Sequence, residues 1–104
     1  MKKIVLISCV SKKKPYETKA ENLYDSSLFH YALEYGKSLN PDQIFILSAL
    51  HGLVSLNEVI GPYERTLNNM NAYERRTWSE KVVNQMRDNG LNLKNDHFIF
   101  LAGW

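Results

Sequence analysis

Three continuous apolar runs divide the chain and predict the strands of a sheet. They cover residues 4–7, 44–47 and 97–102, and each is rich in β-branched or aromatic side chains. Apolar runs without alternation are typical of strands buried on both faces, as the strands of a parallel sheet are. The sequence therefore predicts a parallel sheet of about three strands.

The segment between the first two runs has the hydrophobic spacing of an amphipathic helix. It is predicted to begin near Asp25 or Ser26, which are both good N-caps, and to end at Asn40 and Pro41. Because its apolar residues recur at helical spacing, they should form a stripe that packs on the sheet. The members of this stripe are Leu28, Phe29, Ala32, Leu33 and Leu39.

A second helix is predicted between the last two runs. Asn71 is followed three residues later by Glu74, which is the spacing of a capping box. Apolar residues then recur at intervals of four until Asn89 and Gly90, which are typical of a helix end. The apolar residues of this helix are Trp78, Val82 and Met86.

The order strand, helix, strand, helix, strand predicts a single α/β domain over residues 1–104. Its expected fold class is an open, three-layer, Rossmann-like parallel sheet with two crossover helices. The chain ends at Gly103 and Trp104, directly after the last strand, where such a domain normally continues into another helix. We therefore expect a truncated or minimal domain with a partly bare sheet face, which a second copy or another protein would cover.

Composition excludes several classes of protein. No run approaches the ~18 apolar residues that a membrane-spanning helix needs, and the apolar segment that ends at Ile7 is too short for a secretory signal. We therefore expect a cytoplasmic protein without membrane association. The one cysteine cannot form an internal disulfide, and with the three histidines it lacks the spacing of a zinc site. No metal and no organic cofactor are expected.

Positive charge is concentrated near the amino terminus. Residues 1–24 carry six lysines and two glutamates, a balance of +4, whereas the remaining residues have a balance of −2. Lys12, Lys13 and Lys14 follow the first strand and are candidates to bind phosphate as mobile point charges, with a solvated loop as the alternative. Neither a Walker pattern nor GxGxxG is present, which argues against a conventional ATPase or dinucleotide enzyme.

The carboxyl ends of the predicted strands are the expected location of a ligand site. Two long loops, residues 8–24 and 48–70, leave this edge, and long loops are usually functional or mobile. The residues that follow the three strands are Ser8 and Cys9, then Ser48 and His51, then Gly103 and Trp104.

Cys9 and His51 are the candidate catalytic residues. Cys9 stands where a substrate could reach it, and the nearby lysines would favour its thiolate, although a small apolar residue at the end of the strand is the alternative interpretation. His51 precedes Gly52, so its loop can turn sharply and aim the imidazole over the sheet edge. It is predicted to be a general acid or base, or else to anchor its loop by a hydrogen bond.

Aromatic and charged residues in the two long loops are candidate ligand contacts. Tyr16 and Tyr63 could stack on a base, whereas Tyr24, directly before the first helix, is predicted to pack the loop onto the body. Arg65 and Thr66 follow a Gly-Pro turn, and Arg65 could clamp a phosphate or form a surface pair with a neighbouring glutamate. Arg75 and Arg76 oppose the dipole of the second helix, which an anion contact or solvent exposure would explain equally.

Five motifs along nearly the whole chain carry a resemblance to a known group. They are "SCVSKKK", "ENLYDSSLF", "FILSALHGLVSLNEVIGPYERTL", "ERRTW" and "FIFLAGW". On these motifs the chain resembles small bacterial and phage proteins of unknown function that are similar in style to the YaaA-like peroxide-stress proteins. Members usually continue beyond the "FLAG" strand, so the end of this chain departs from their pattern. The resemblance implies site residues at Ser8, Cys9, Lys12, Lys13, Ser48, His51, Tyr63 and Thr66.

A more distant similarity is to the "PCS…KPY" signature of archaeosine-synthase-like domains, which modify a tRNA base. Cys9 and the run from Lys14 to Tyr16 match it, whereas Ser8 replaces the proline and the spacing before the lysine is one residue longer. This similarity implies a nucleobase as the substrate class.

The leading functional hypothesis is binding of a nucleotide or nucleic acid at the carboxyl edge of the sheet, with base removal or base transfer as the chemistry. A non-catalytic interaction module of a phage or stress-response system is the alternative, because an apolar sheet face is expected to be bare. Redox sensing by Cys9 is a third hypothesis.

Overall fold

A four-stranded sheet forms the centre of the protein. In the computed structural model, which describes residues 1–101, strand β1 (Lys3–Ser8) lies between β3 (Gln43–Ser48) and β6 (His97–Leu101) and is parallel to both. The three predicted strands are thereby confirmed. The predicted extension of the last strand to Ala102, and the candidate residues Gly103 and Trp104, lie outside the described residues.

The prediction of a parallel sheet of about three strands is correct for β1, β3 and β6, but the sheet has a fourth strand and is mixed. Strand β4 (Gly52–Ser55) pairs antiparallel with β3, which gives the order β4-β3-β1-β6. The chain reverses through a tight turn at residues 49–51, and Gly52 enters β4 with a φ of +78°, a conformation that a glycine adopts without strain. The four-residue strand was too short to be distinguished from the predicted loop 48–70.

The predicted loops also contain a second, small sheet. Strand β2 (Thr18–Lys19) pairs antiparallel with β5 (Val59–Ile60), and a 3-10 helix occupies Leu67–Asn69. The backbone N–H of Ala20 donates to the carbonyl of Glu58 at 2.8 Å, which extends this connection. The two segments that the sequence presented as loops are therefore joined to each other by backbone hydrogen bonds.

Both predicted helix starts are confirmed. Helix α2 (Ser27–Ser38) follows a short α1 (Ala20–Leu23), and the Ser26 side chain caps it by accepting from the N–H of Phe29. Helix α3 (Ala72–Asp88) begins with the predicted capping box, in which Asn71 and Glu74 satisfy each other's backbone N–H groups. Across residues 1–101, every helix is too short or too polar to cross a bilayer.

The two long helices pack on opposite faces of the sheet. Successive side chains of a strand point to opposite faces, so Val5 and Ile7 of β1 join the core cluster that contains α2, whereas Ile4 and Leu6 join the cluster that contains α3. Burial of each such side chain stabilises the fold by about 1.5–3 kcal/mol. Leu28, predicted to lie on the buried stripe of α2, is 50% exposed, so that assignment was wrong.

Candidate functional site

The carboxyl ends of β1 and β3 lie side by side at one edge of the sheet. The chain leaves β1 towards α1 and α2, whereas β3 turns back at once into β4, and α3 follows only after β5 and the 3-10 helix. In open α/β sheets, ligands bind beyond the carboxyl ends of the parallel strands. Cys9, the first residue after β1, stays attached to β3 because its N–H donates to the carbonyl of Leu47 at 3.1 Å.

A cleft of about 690 Å³, lined by polar and apolar side chains, opens beside these strand ends. We call it the strand-end cleft. One wall is the end of β1 and the turn that follows it, Ser8 to Ser11, and the other wall is Arg65, Thr66 and the 3-10 helix Leu67–Asn69. Four of the predicted site residues therefore line one cavity, although Ser8 and Cys9 are separated from Arg65 and Thr66 by more than half of the chain.

A chain of three hydroxyl groups lies next to the cleft. Ser48 Oγ donates to the hydroxyl oxygen of Tyr63 at 2.8 Å, and the hydroxyl groups of Tyr63 and Tyr24 share a hydrogen bond of 2.7 Å. Ser48 and Tyr24 are fully buried, and Cys9 packs against the same core cluster as Tyr63. Tyr24 thus packs its loop, as predicted, and also takes part in this polar network.

Ser48 organises the turn between β3 and β4. Its Oγ accepts from the backbone N–H of His51 at 3.0 Å and of Leu50 at 3.3 Å, and its carbonyl accepts from Trp78 Nε1 at 2.8 Å. The hydroxyl of this one residue therefore joins the hairpin turn to Tyr63, while its carbonyl ties the same strand end to α3.

Lys13 is the lysine of the triplet whose ammonium contacts the two tyrosine rings. Its Nζ lies 4.2 Å from the ring centroid of Tyr63 and 5.7 Å from that of Tyr24, which is the geometry of a cation–π contact. The ammonium also donates to the carbonyl of Ser11 at 3.0 Å. Partial burial lowers the pKa of Lys13, and the negative charges of Cys9 and Glu64 oppose that change.

Burial also changes the acidity of the two tyrosines. It raises the pKa of Tyr24 to about 12, against an ordinary value of 10.0, and it raises the pKa of Tyr63 still further. The charge of Cys9 acts in the same direction on both phenols, because a second negative charge nearby is unfavourable. Both phenols are therefore protonated at neutral pH and can donate a hydrogen bond.

Lys12, Lys14 and Tyr16 lie outside this cluster. The segment around Lys13 pairs antiparallel with Tyr24, so its neighbours point to the other side. The N–H of Asp25 donates to the carbonyl of Lys12 at 2.9 Å, and Lys12 is exposed, as is Tyr16 at 56%. The structure thus separates the three lysines that the sequence presented as one phosphate-binding group.

His51 occupies the turn between β3 and β4, near Tyr63. Its imidazole stands perpendicular to the Tyr63 ring with 5.6 Å between the centroids. Its carbonyl accepts from Gln85 Nε2 of α3 at 3.0 Å, and Gln85 Oε1 accepts from the N–H of Leu53 at 2.8 Å. Sequence reasoning missed Gln85, because a glutamine in a helix carries no signal that it will bond to a distant backbone.

Arg65 stands at the rim of the strand-end cleft and is bound to α3. Its guanidinium donates to Glu74 Oε2 at 2.9 Å. The hydrogen bond from the Asn71 N–H, and then the Arg65 side chain, lower the pKa of Glu74. A surface pair with Glu64, its neighbour in sequence, was one of the two interpretations of Arg65, but the partner is Glu74.

Comparison with known proteins identifies the family. Residues 4–104 match the profile of DUF6884, a family of unknown function. The chain belongs to this family. The expectation of an uncharacterised family is thereby confirmed, whereas the bacterial or phage origin implied by the motifs stays a prediction. No curated protein and no solved structure is significantly similar to the chain.

In this DUF6884 domain, the predicted site residues form two adjacent groups. Ser8, Cys9, Arg65 and Thr66 line the strand-end cleft. Next to them lie Lys13, Ser48, His51 and Tyr63, which are joined by hydrogen bonds or ring contacts. The arrangement offers a thiol at a cleft wall, a guanidinium at the opposite wall, and protonated phenol and ammonium groups behind them.

Proposed function

We propose that this domain binds a nucleotide, free or within a nucleic acid, in the strand-end cleft. The observation that carries the proposal is the cleft at the carboxyl end of β1, which lies beyond the edge of the parallel strands. Its volume of about 690 Å³ lies within the ~300–1,000 Å³ that is usual for small-molecule sites.

The cleft has the polar groups that a nucleotide requires. One guanidinium nitrogen of Arg65, on one wall, is bound to Glu74, and its remaining N–H groups can donate to a phosphate. Thr66 and Asn68 on the same wall, and Ser11 on the other, can bond to sugar hydroxyls or base edges. Lys12 follows Ser11 in an exposed position and adds positive charge at the entrance.

The chemistry we propose is base removal or base transfer at Cys9. The thiolate sulfur attacks C1′ of the bound nucleotide, an S–C1′ bond forms, and the glycosidic C1′–N bond breaks with its electron pair going to the base. Lys13, whose ammonium interacts with the charge of Cys9, is the donor that we propose for the proton taken up by the departing base. Water or a second base then displaces the sulfur from C1′, the proton that it releases passes to Lys13, and the thiolate is restored.

We also propose that the fold is a Rossmann-like three-layer arrangement. Support comes from α2 and α3, whose apolar residues join core clusters on opposite faces of the sheet. The antiparallel strand β4 would then be an addition at one edge, as is common in mixed α/β sheets.

Binding can be tested by titrating the four nucleoside monophosphates, single-stranded and duplex oligonucleotides, and tRNA at about 50 mM salt, where phosphate contacts are strongest. Arg65→Ala should weaken the binding by about tenfold or more, because a hydrogen bond to a charged group is lost. Arg87→Ala, at the far end of α3, is the matched control and should bind as the wild type does. Absence of binding for every ligand would refute the proposal.

The chemical step needs a separate assay. Wild-type protein should release free base from a bound nucleotide or oligonucleotide, measured by chromatography, and Cys9→Ala should bind the ligand but release none. Base release by Cys9→Ala would overturn the role of Cys9. Binding without base release by the wild type would leave a binding domain and overturn the catalytic step.

A second candidate function is a non-catalytic protein-interaction module. One observation favours it: Phe100, in the outermost strand β6, is 62% exposed. Exposed apolar edge strands are favourable sites for pairing with another chain. Sedimentation should then show concentration-dependent association of the wild type, which Phe100→Lys abolishes. A wild type that stays monomeric at all concentrations and binds no other protein would contradict this function.

A further inference from the structure

A second concave surface lies directly beyond Arg65. It is a groove of about 210 Å³ between the β3–β4 turn and one face of α3, and we call it the α3 groove. Arg65 lines both this groove and the strand-end cleft, so the two cavities meet at its side chain. The groove is lined mainly by Leu50, Met70, Tyr73, Thr77, Trp78 and Lys81.

The helix itself explains why these side chains share one surface. Tyr73, Thr77 and Lys81 follow each other at intervals of four residues and therefore lie on one face of α3. Trp78 lies beside them and is held in place, because its Nε1 donates to the carbonyl of Ser48 at 2.8 Å. Tyr73 is 77% exposed, so its ring is open to a ligand.

The charged side chains that line the groove, Arg65 and Lys81 against Glu74, have a balance of +1, which suits an anionic chain. Lys81 Nζ lies at the turn, where it donates to the carbonyl of Leu50 at 3.1 Å, and Arg65 stands where the groove meets the cleft. Glu74 is the one acidic residue among the lining side chains, and its carboxylate is already bound to Arg65 and to the N–H of Asn71. Cations at the two ends of an aromatic surface are the features of a binding site for single-stranded nucleic acid.

We propose that the α3 groove binds the base next to the one in the strand-end cleft, so that the ligand is a single-stranded nucleic acid rather than a free nucleotide. This inference rests on the proposed function and names its substrate class. The intervening phosphate lies at Arg65, the flanking base stacks on Tyr73, and the next phosphate lies near Lys81. The volume of about 210 Å³ is small for a whole ligand but sufficient for one flat ring.

The test compares ligands of increasing length with variants of one exposed tyrosine. The ligands are a nucleoside monophosphate and mixed-sequence octanucleotides of DNA and of RNA, titrated at about 50 mM salt. The variants are Tyr73→Ala, Tyr73→Phe and Tyr31→Ala, the last of which removes a tyrosine of α2 that is equally exposed at 72%. All three changes are at exposed helix positions and should leave the fold intact.

Tyr73→Ala should lose about tenfold in affinity for the octanucleotide, because stacking of one base is removed, and nothing for the monophosphate. Tyr73→Phe should keep the wild-type affinity, and Tyr31→Ala should match the wild type throughout. This inference, but not the proposed function, would be overturned if Tyr73→Ala bound both octanucleotides within twofold of the wild-type affinity and still bound the monophosphate. It would assign the groove to another occupant, such as an apolar side chain of a protein. Failure of the wild type to bind any of the ligands would overturn the proposed function as well.

Discussion

Replacement of Ser48 by alanine should destabilise the protein more than any other single hydroxyl deletion among the serines of the sheet. Ser48 is fully buried, and its Oγ holds the Tyr63 hydroxyl at 2.8 Å and the His51 N–H at 3.0 Å. The substitution removes the three hydrogen bonds of Oγ, including the longer one from the Leu50 N–H, at about 1 kcal/mol each. We therefore expect the free energy of unfolding to fall by about 3 kcal/mol.

Urea denaturation, followed by circular dichroism and by tryptophan fluorescence, measures this change. The corresponding fall in melting temperature is about 10–20 °C for a domain of this size. Ser55→Ala is the matched control, because Ser55 is an exposed serine of the adjacent strand β4. It should change the free energy of unfolding by less than about 0.5 kcal/mol.

A double-mutant cycle isolates the bond between the two hydroxyl groups. Tyr63→Phe keeps the ring beneath Lys13 and removes only the hydroxyl, so the double variant should lose less stability than the sum of the single variants by about 0.5 kcal/mol or more. Additive effects of the two changes, or a loss below about 0.5 kcal/mol for Ser48→Ala, would refute the hydroxyl network as a stabilising element.

Three further predictions follow from the same region. Gly52→Ala should lower the melting temperature more than Gly90→Ala. Both glycines have a positive φ, but only at Gly52 would an added Cβ meet another side chain, that of an α3 glutamine. Equal shifts in melting temperature would contradict this. Lys13→Met should cost about 0.5–2 kcal/mol through the lost cation–π contact, whereas Lys12→Met should cost almost nothing, and thermal melts that coincide would exclude the contact. Because the pKa of Tyr24 is raised in the folded state, the free energy of unfolding should fall as pH rises from 10 to about 12. Tyr24→Phe should make this fall shallower in urea titrations, and an unchanged pH dependence would be inconsistent with a buried phenol.

The sheet and the helix starts could be predicted because local signals specify them. Apolar runs marked the strands, and Ser26 and Asn71 were recognisable as N-caps since their side chains bond to backbone groups only three residues away. Strand β4 was missed because four residues after a tight turn leave too little periodicity, and its pairing depends on Gly52.

The candidate site was predictable by position and less so by arrangement. Residues after parallel strands meet at one edge, so Cys9 and Ser48 could be brought together from sequence alone. The opposite behaviour of Lys12 and Lys13 depends on the pairing of their segment with Tyr24, a contact between loops that no local pattern encodes. Likewise, the partner of Arg65 is Glu74 rather than its sequence neighbour, because α3 brings Glu74 within reach.

The central claim is that a nucleotide binds in the strand-end cleft, and mapping of amide chemical shifts by NMR tests it most directly. A nucleoside monophosphate is titrated into isotope-labelled wild-type protein at low salt. The account predicts that the largest shifts occur at residues 8–11 and 65–69, the two walls of the cleft, and that they follow one saturable isotherm. Shifts confined to other surfaces, or no shifts at millimolar nucleotide, would contradict it.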